Sequence, residues 1–214
     1  MFLSLRSEVD ARFQEVRSFF KATRNFHGDL GSAAKGLAFV HIYSVYEYTV
    51  RTLIEAVIDS INACNHDMVD LTPSLLAFYL DPEITSLKDS SQAKKWTARE
   101  KIFERVFFSK AKLSTSTRPP SDGTHYRHTQ LITILNVFGI SRPPVRRKRH
   151  LYRIDEVVDN RNKIAHGQES ASEIGRRYSR DDIIHIITQI KSVCNTLIYL
   201  LETFCSDPKM AKRK

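Results

Sequence analysis

Apolar residues along this chain recur mostly at intervals of three and four, the spacing that gathers one face of an α-helix. Val9, Phe13, Val16 and Phe20 set the first stripe and predict a helix over about 5–24. Residues 26–31 hold two glycines and read as a turn. A longer stripe that includes Phe39, Ile42, Tyr43, Tyr46, Val50 and Leu53 predicts a second helix over about 33–62. Thr72 ahead of Pro73 has the look of a cap with proline in the first turn, opening a short helix to Leu80. Residues 86–95 are polar and loop-like, and Thr97 with Glu100 has capping-box spacing, opening a helix through about Ser109.

Residues 113–123 carry Ser, Thr, two Pro and a Gly and read as a loop. A helix over 128–138 closes at Gly139. Residues 141–149 form an exposed basic connection with Arg146, Arg147, Lys148 and Arg149. A helix over 151–166 stops at Gly167, where a left-handed residue would end it. Ser179 with Asp182 is another capping-box candidate, opening the last long helix to about Cys205. Strand signals are nearly absent. The pattern predicts an all-α fold: an antiparallel helical bundle with two long core helices, shorter helices and a mid-chain helical insertion.

Composition narrows this reading. Gly and Pro number 7 each in 214 residues, too few for a collagenous, linker-rich or all-β chain. The length fits one domain over 1–206, with 66–125 as the insertion and 207–214 as a basic tail. A chain of this size buries a real core without a disulfide or metal staple. Cys64, Cys194 and Cys205 show no paired zinc-type spacing, and the last two lie too far apart along one predicted helix to bridge. The N-terminal stretch lacks a signal-like apolar core, and no apolar run approaches a membrane span. A cytoplasmic protein without membrane contact is expected. Lys and Arg total 33 against 24 Asp and Glu, a net charge of +9 that favours polyanions such as RNA.

One position breaks the pattern. At about 100° per residue, Ile154, Val157, Val158, Ile164 and Ala165 share a face, and Arg161 falls in its middle. An arginine there must pair, snorkel, or face a cleft or a partner. Asn162 stands beside it and His166 follows at the helix end. The set suits RNA chemistry: arginine holds phosphate through two donors, and histidine exchanges protons near neutral pH. RNA supplies its own nucleophile, the 2′-hydroxyl, so no metal or cofactor is required. One histidine is thin for a step that wants both a base and an acid, and a two-fold dimer would supply the second. The plainer alternative makes Arg161 a buried ion-pair partner of Glu47 and His166 an ordinary C-terminal helix cation. Glu47, at the edge of the second helix's apolar face, either orients this site or forms that structural pair.

Arg176 and Arg177 precede the last helix and are candidates for RNA phosphate contact, as is Lys163. His125 and His128 have a metal-compatible spacing, with no nearby ligands to complete a shell. Phe103, Phe107, Phe108, Tyr43 and Tyr46 read most simply as core.

Residues 154–167, IDEVVDNRNKIAHG, resemble the signature of HEPN (higher eukaryotes and prokaryotes nucleotide-binding) domains: Arg, four to six residues, then His, often with a polar residue after the Arg. Here the gap is four and the polar residue is Asn162. Residues 128–131, 138–140 and 173–179, and Tyr46-Glu47 in the second helix, look like the stand-alone HEPN nucleases of prokaryotic conflict systems. The resemblance implies two long antiparallel core helices and a homodimer whose motifs face a shared cleft. It implies metal-independent endoribonuclease activity in toxin or phage-defence roles, with an antitoxin or regulatory protein as a further partner. By it Arg161 and His166 are catalytic and Asn162 supports them. The alternative is a non-catalytic helical RNA- or nucleotide-binding module, or a dimer acting through protein contact.

Overall fold

Nine α-helices make up almost all the regular structure among the described residues: α1 (Phe2–Ala22), α2 (Gly28–Ala63), α3 (Pro73–Tyr79), α4 (Asp81–Asp89), α5 (Gln92–Phe108), α6 (His128–Val137), α7 (Arg149–Ala165), α8 (Ala171–Gly175) and α9 (Arg180–Cys205). The computed structural model describes residues 1–110, 126–145 and 149–207. The loop expected at 113–123, His125, Arg146, Arg147, Lys148 and the tail from 208 lie outside them. The only strand-like feature among the described residues is an isolated bridge between Asp67 and Lys110.

α2 is the axis of the fold, packed against α1, α7, α8 and α9. α1 turns its predicted stripe inward, burying Leu5, Val9, Phe13, Val16 and Phe20. α9 is the one described helix long and apolar enough to cross a membrane by length and composition. Its apolar stripe, from Ile183 through Leu201, is instead buried in the bundle. At the other side of α2 the contact with α8 is backbone on backbone. A Cβ added at Gly36 would run into the carbonyl of Ala171, and one at Gly175 into the carbonyl of Ser32. Glycine at both positions lets the two helices come this close.

Caps fix the helix ends. Thr72 accepts from the Leu75 N–H, with Pro73 in the first turn of α3 as the sequence predicts. Ser179 and Asp182 form the expected capping box at α9, and Ser170 with Glu173 forms another at α8. Arg180 donates to the carbonyls of Phe20 and Thr23, and its guanidinium lies 4.1 Å from the Phe20 ring centroid. A cation thereby satisfies the open carbonyls at the C-terminal end of α1.

Five expectations need correction. α1 begins at Phe2, and α2 begins at Gly28, inside the segment read as a turn. The region 86–95 is not a loop: it holds the end of α4 and the start of α5. Ser91, in extended conformation, is the N-cap of α5, so Thr97 and Glu100 sit inside the helix. The good helix formers at 92–95 continue the helix without needing an apolar stripe. Finally, Phe103, Phe107 and Phe108 are not core: they are 62%, 60% and 86% exposed. Tyr43 and Tyr46 are core, at 1% exposure each.

Candidate active site

The C-terminal end of α7 closes as the sequence predicts. Gly167 takes φ 65°, its N–H donates to Ile164 O at 3.1 Å, and Gln168 N–H donates to Lys163 O at 2.9 Å. This is the Schellman arrangement, which a residue with a Cβ adopts only at a cost. It leaves His166 exposed at the helix end, its own N–H bonded to Asn162 O at 2.9 Å.

Arg161 turns the other way, toward α2. It is half-buried, with its guanidinium carbon 4.7 Å from the Tyr43 ring centroid and Nη1 donating to Asn162 Oδ1 at 3.0 Å. The aromatic face is the negative end of a quadrupole and holds the cation without neutralising it. The Tyr43 hydroxyl donates to Glu47 Oε1 at 3.1 Å. Burial, then the neighbouring carboxylate of Glu47, pushes the Tyr43 phenol well above its ordinary range, while Arg161 acts in the opposite sense. The phenol therefore stays protonated and remains the donor. Among the described contacts Glu47 makes no ion pair with Arg161; it bonds the tyrosine that Arg161 lies against.

The remaining cations are engaged. Lys163 donates to Glu169 Oε1 at 2.6 Å, and Arg177 pairs with the other oxygen of the same carboxylate. These two hydrogen bonds, Lys163 first, hold the Glu169 carboxyl below the usual carboxylate range. Arg176 pairs with Asp29, at the start of α2, at 2.6 Å. Glu169 and Asp29 were not singled out from the sequence, since carboxylates in loops and first turns are commonplace.

A second network holds α7 in place. Asn160 is buried and donates to the Tyr178 hydroxyl at 2.9 Å, which donates to Glu156 Oε1 at 2.9 Å. Lys35 of α2 donates to Tyr178 O at 2.5 Å, and the Tyr178 ring lies 4.8 Å from Phe39. Asn160 and Tyr178 lie within the stretches that carry the HEPN resemblance, yet nothing in the sequence marks them as partners. On the side facing α6, Arg127 pairs with Asp159 at 2.5 Å. His128 Nδ1 lies 2.5 Å from Asp155 Oδ2, and the His128 N–H donates to the same carboxylate. That histidine is thus bound to an aspartate. No grouping of three metal-ligating side chains occurs among the described residues.

The structure therefore brings Arg161 to Asn162 and Tyr43, and Lys163 to Arg177. No contact between His166 and Arg161 is among the described ones; on an ideal helix a separation of five residues turns two side chains about 140° apart.

A family model, HEPN_MAE_28990-like HEPN, matches residues 1–210. The chain belongs to the HEPN family. The match takes in α1 and the α3–α5 region as well as the motif helix. No curated protein matches the chain, and no solved structure does. HEPN domains make up a nucleotide-binding, RNase-like superfamily, and the all-α bundle around α2 is the HEPN architecture of this chain.

Proposed function

We propose that this HEPN protein is a metal-independent endoribonuclease, a toxin or phage-defence effector of the cytoplasm that acts as a homodimer. The observation that carries the reading is Arg161: a half-buried guanidinium, backed by the Tyr43 ring and tethered to Asn162, with no carboxylate paired to it among the described residues. A cation kept in this state is suited to a phosphate, whose charge grows in the transition state. His166 stands exposed one helical turn past Asn162, open to a bound RNA strand.

A two-fold pair of α7 ends facing one groove supplies two His166 side chains. One accepts the 2′-hydroxyl proton as that oxygen attacks phosphorus. The other protonates the 5′-oxygen as the P–O5′ bond breaks. The products are a 2′,3′-cyclic phosphate and a 5′-hydroxyl. Arg161 binds the scissile phosphate, Asn162 positions Arg161, and Glu47 steadies it through Tyr43. Lys163, Arg176 and Arg177 contact flanking phosphates by exchanging their carboxylate partners, Glu169 and Asp29, for RNA. An antitoxin or regulatory protein would restrain the active dimer.

The test is RNA cleavage in EDTA by wild type, His166→Ala and Tyr43 variants, with end-group analysis. Wild type is expected to leave cyclic-phosphate ends, and His166→Ala to lose about 100-fold or more. Tyr43→Phe keeps the ring and most activity, whereas Tyr43→Leu loses about tenfold. RNA binding without cleavage by wild type would overturn the nuclease reading in favour of a binding module.

A further inference from the structure

The region least explained by the bundle is α5. None of its residues is buried; its main described packing is against α4 and the turn at Met68–Asp70, with Ile102 and Val106 half-buried against the edge of the core. The side facing those elements carries Ile102, Arg105 and Val106, with Arg105 paired to Glu83 of α4. The opposite side carries Trp96, Phe103 and Phe107, which fall within about 40° of one another around the helix. They are 75%, 62% and 60% exposed. Their rings and the neighbouring Arg99, Glu100 and Glu104 line a shallow groove. A monomeric surface rarely leaves so many aromatics together in water.

We infer that this face of α5 is a self-association surface, and that its occupant is α5 of a second copy of the chain. Three arguments favour that occupant. The first is area. Aromatic side chains cover ~150–250 Å² each when buried, so the stripe leaves roughly 400 Å² per copy to be covered. With the stems of the flanking residues, two copies approach ~1,000 Å², the floor for a specific interface. The second is charge. Arg99 borders the stripe on one edge, and Glu100 and Glu104 border it on the other. None of the three forms an ion pair among the described contacts. A two-fold axis parallel to the helices sets the basic edge of one copy against the acidic edge of the other, so that Arg99 meets the partner's Glu104 five positions on. An antiparallel pair would oppose like edges. The third is the chain's own sequence. The stretch that follows α5, residues 111–125, contains only one large apolar side chain, Leu113, too little to match three aromatic rings.

This face is separate from the α7 end and does not depend on the nuclease reading. If α7 ends also pair about a different two-fold axis, the two interfaces together build an assembly larger than a dimer; about the same axis they belong to one dimer.

Sedimentation equilibrium on the purified full chain tests the inference, with circular dichroism to confirm helicity. Wild type is expected to self-associate, and Phe103→Glu to weaken one association step by at least about tenfold without loss of helix. Arg99→Glu and Glu104→Arg should each weaken it by about threefold, and the double exchange should restore it. A wild-type monomer at ~100 µM would overturn the inference. So would an association that Phe103→Glu leaves unchanged, which would assign it to another face. Sensitivity to Phe103→Glu without rescue by the double exchange would overturn the parallel pairing.

Discussion

α2 and α5 are both helices rich in large apolar and aromatic side chains, and they end up in opposite circumstances. α2 is enclosed by four other helices and buries Phe39, Tyr43, Tyr46 and Leu53 almost completely. α5 buries nothing and holds Trp96, Phe103 and Phe107 in solvent. Periodicity identifies an apolar stripe in each. What covers the stripe depends on which other elements the chain can bring to it, and the described elements near α5 cover only its other side. The difference teaches that helical period reports a face and leaves open whether the cover comes from the same chain.

The sharpest way to break this contrast is at the closest contact of α2. Gly175→Ala puts a Cβ into the Ser32 carbonyl, a collision with backbone that cannot swing aside. A loss of about 3 kcal/mol or more is expected, read by urea unfolding; a variant as stable as wild type would mean that α8 can retreat from α2 cheaply. The next effect compares one residue type across the two helices. Phe39→Ala should cost about 3–5 kcal/mol, because a fully buried ring leaves a cavity. Phe103→Ala should stay within about 0.5 kcal/mol in the dissociated monomer. Equal losses would mean that α5 contributes to the core after all.

The smallest effect concerns pH. The Glu169 carboxyl is held below its unfolded value by Lys163 and Arg177. Its contribution to stability is therefore fully present above the unfolded value of about 4.3 and is lost as pH falls through the lower folded value. Comparing wild type with Glu169→Gln by urea unfolding at neutral and acid pH should show a difference at pH 7 that vanishes in acid. A difference that grew toward low pH would contradict the sign of the shift.

Much of the candidate site was legible because it is local. The arrest of α7 at Gly167 depends on one backbone conformation and two hydrogen bonds within a single turn. Arg161 stood out because one charge interrupted a short apolar stripe, and the HEPN resemblance gave that interruption a chemical meaning. The partner of Arg161 was less legible. Glu47 was the obvious counter-charge on the facing helix, yet Arg161 lies over Tyr43, four residues earlier, and Glu47 bonds the tyrosine. Both residues lie near the same edge of α2, and only the depth and rotation of helix packing choose between them. The engagement of Lys163 and Arg177 by one carboxylate was hidden for a similar reason: Glu169 reaches them because the chain reverses after Gly167.

By itself the sequence determined what is set within a few residues: the helical class, the stripes of α1 and α2, the caps at Thr72 and Ser179, and the terminus after His166. Those features follow from i to i+4 hydrogen bonds and from side chains that share a face. Tertiary structure alone decided that Gly36 and Gly175 meet, that Tyr43 lies against Arg161, that Asn160 and Tyr178 join, and that no described element covers the aromatic face of α5. Each of these depends on groups far apart in sequence coming within a few ångströms, and neither composition nor period carries that distance.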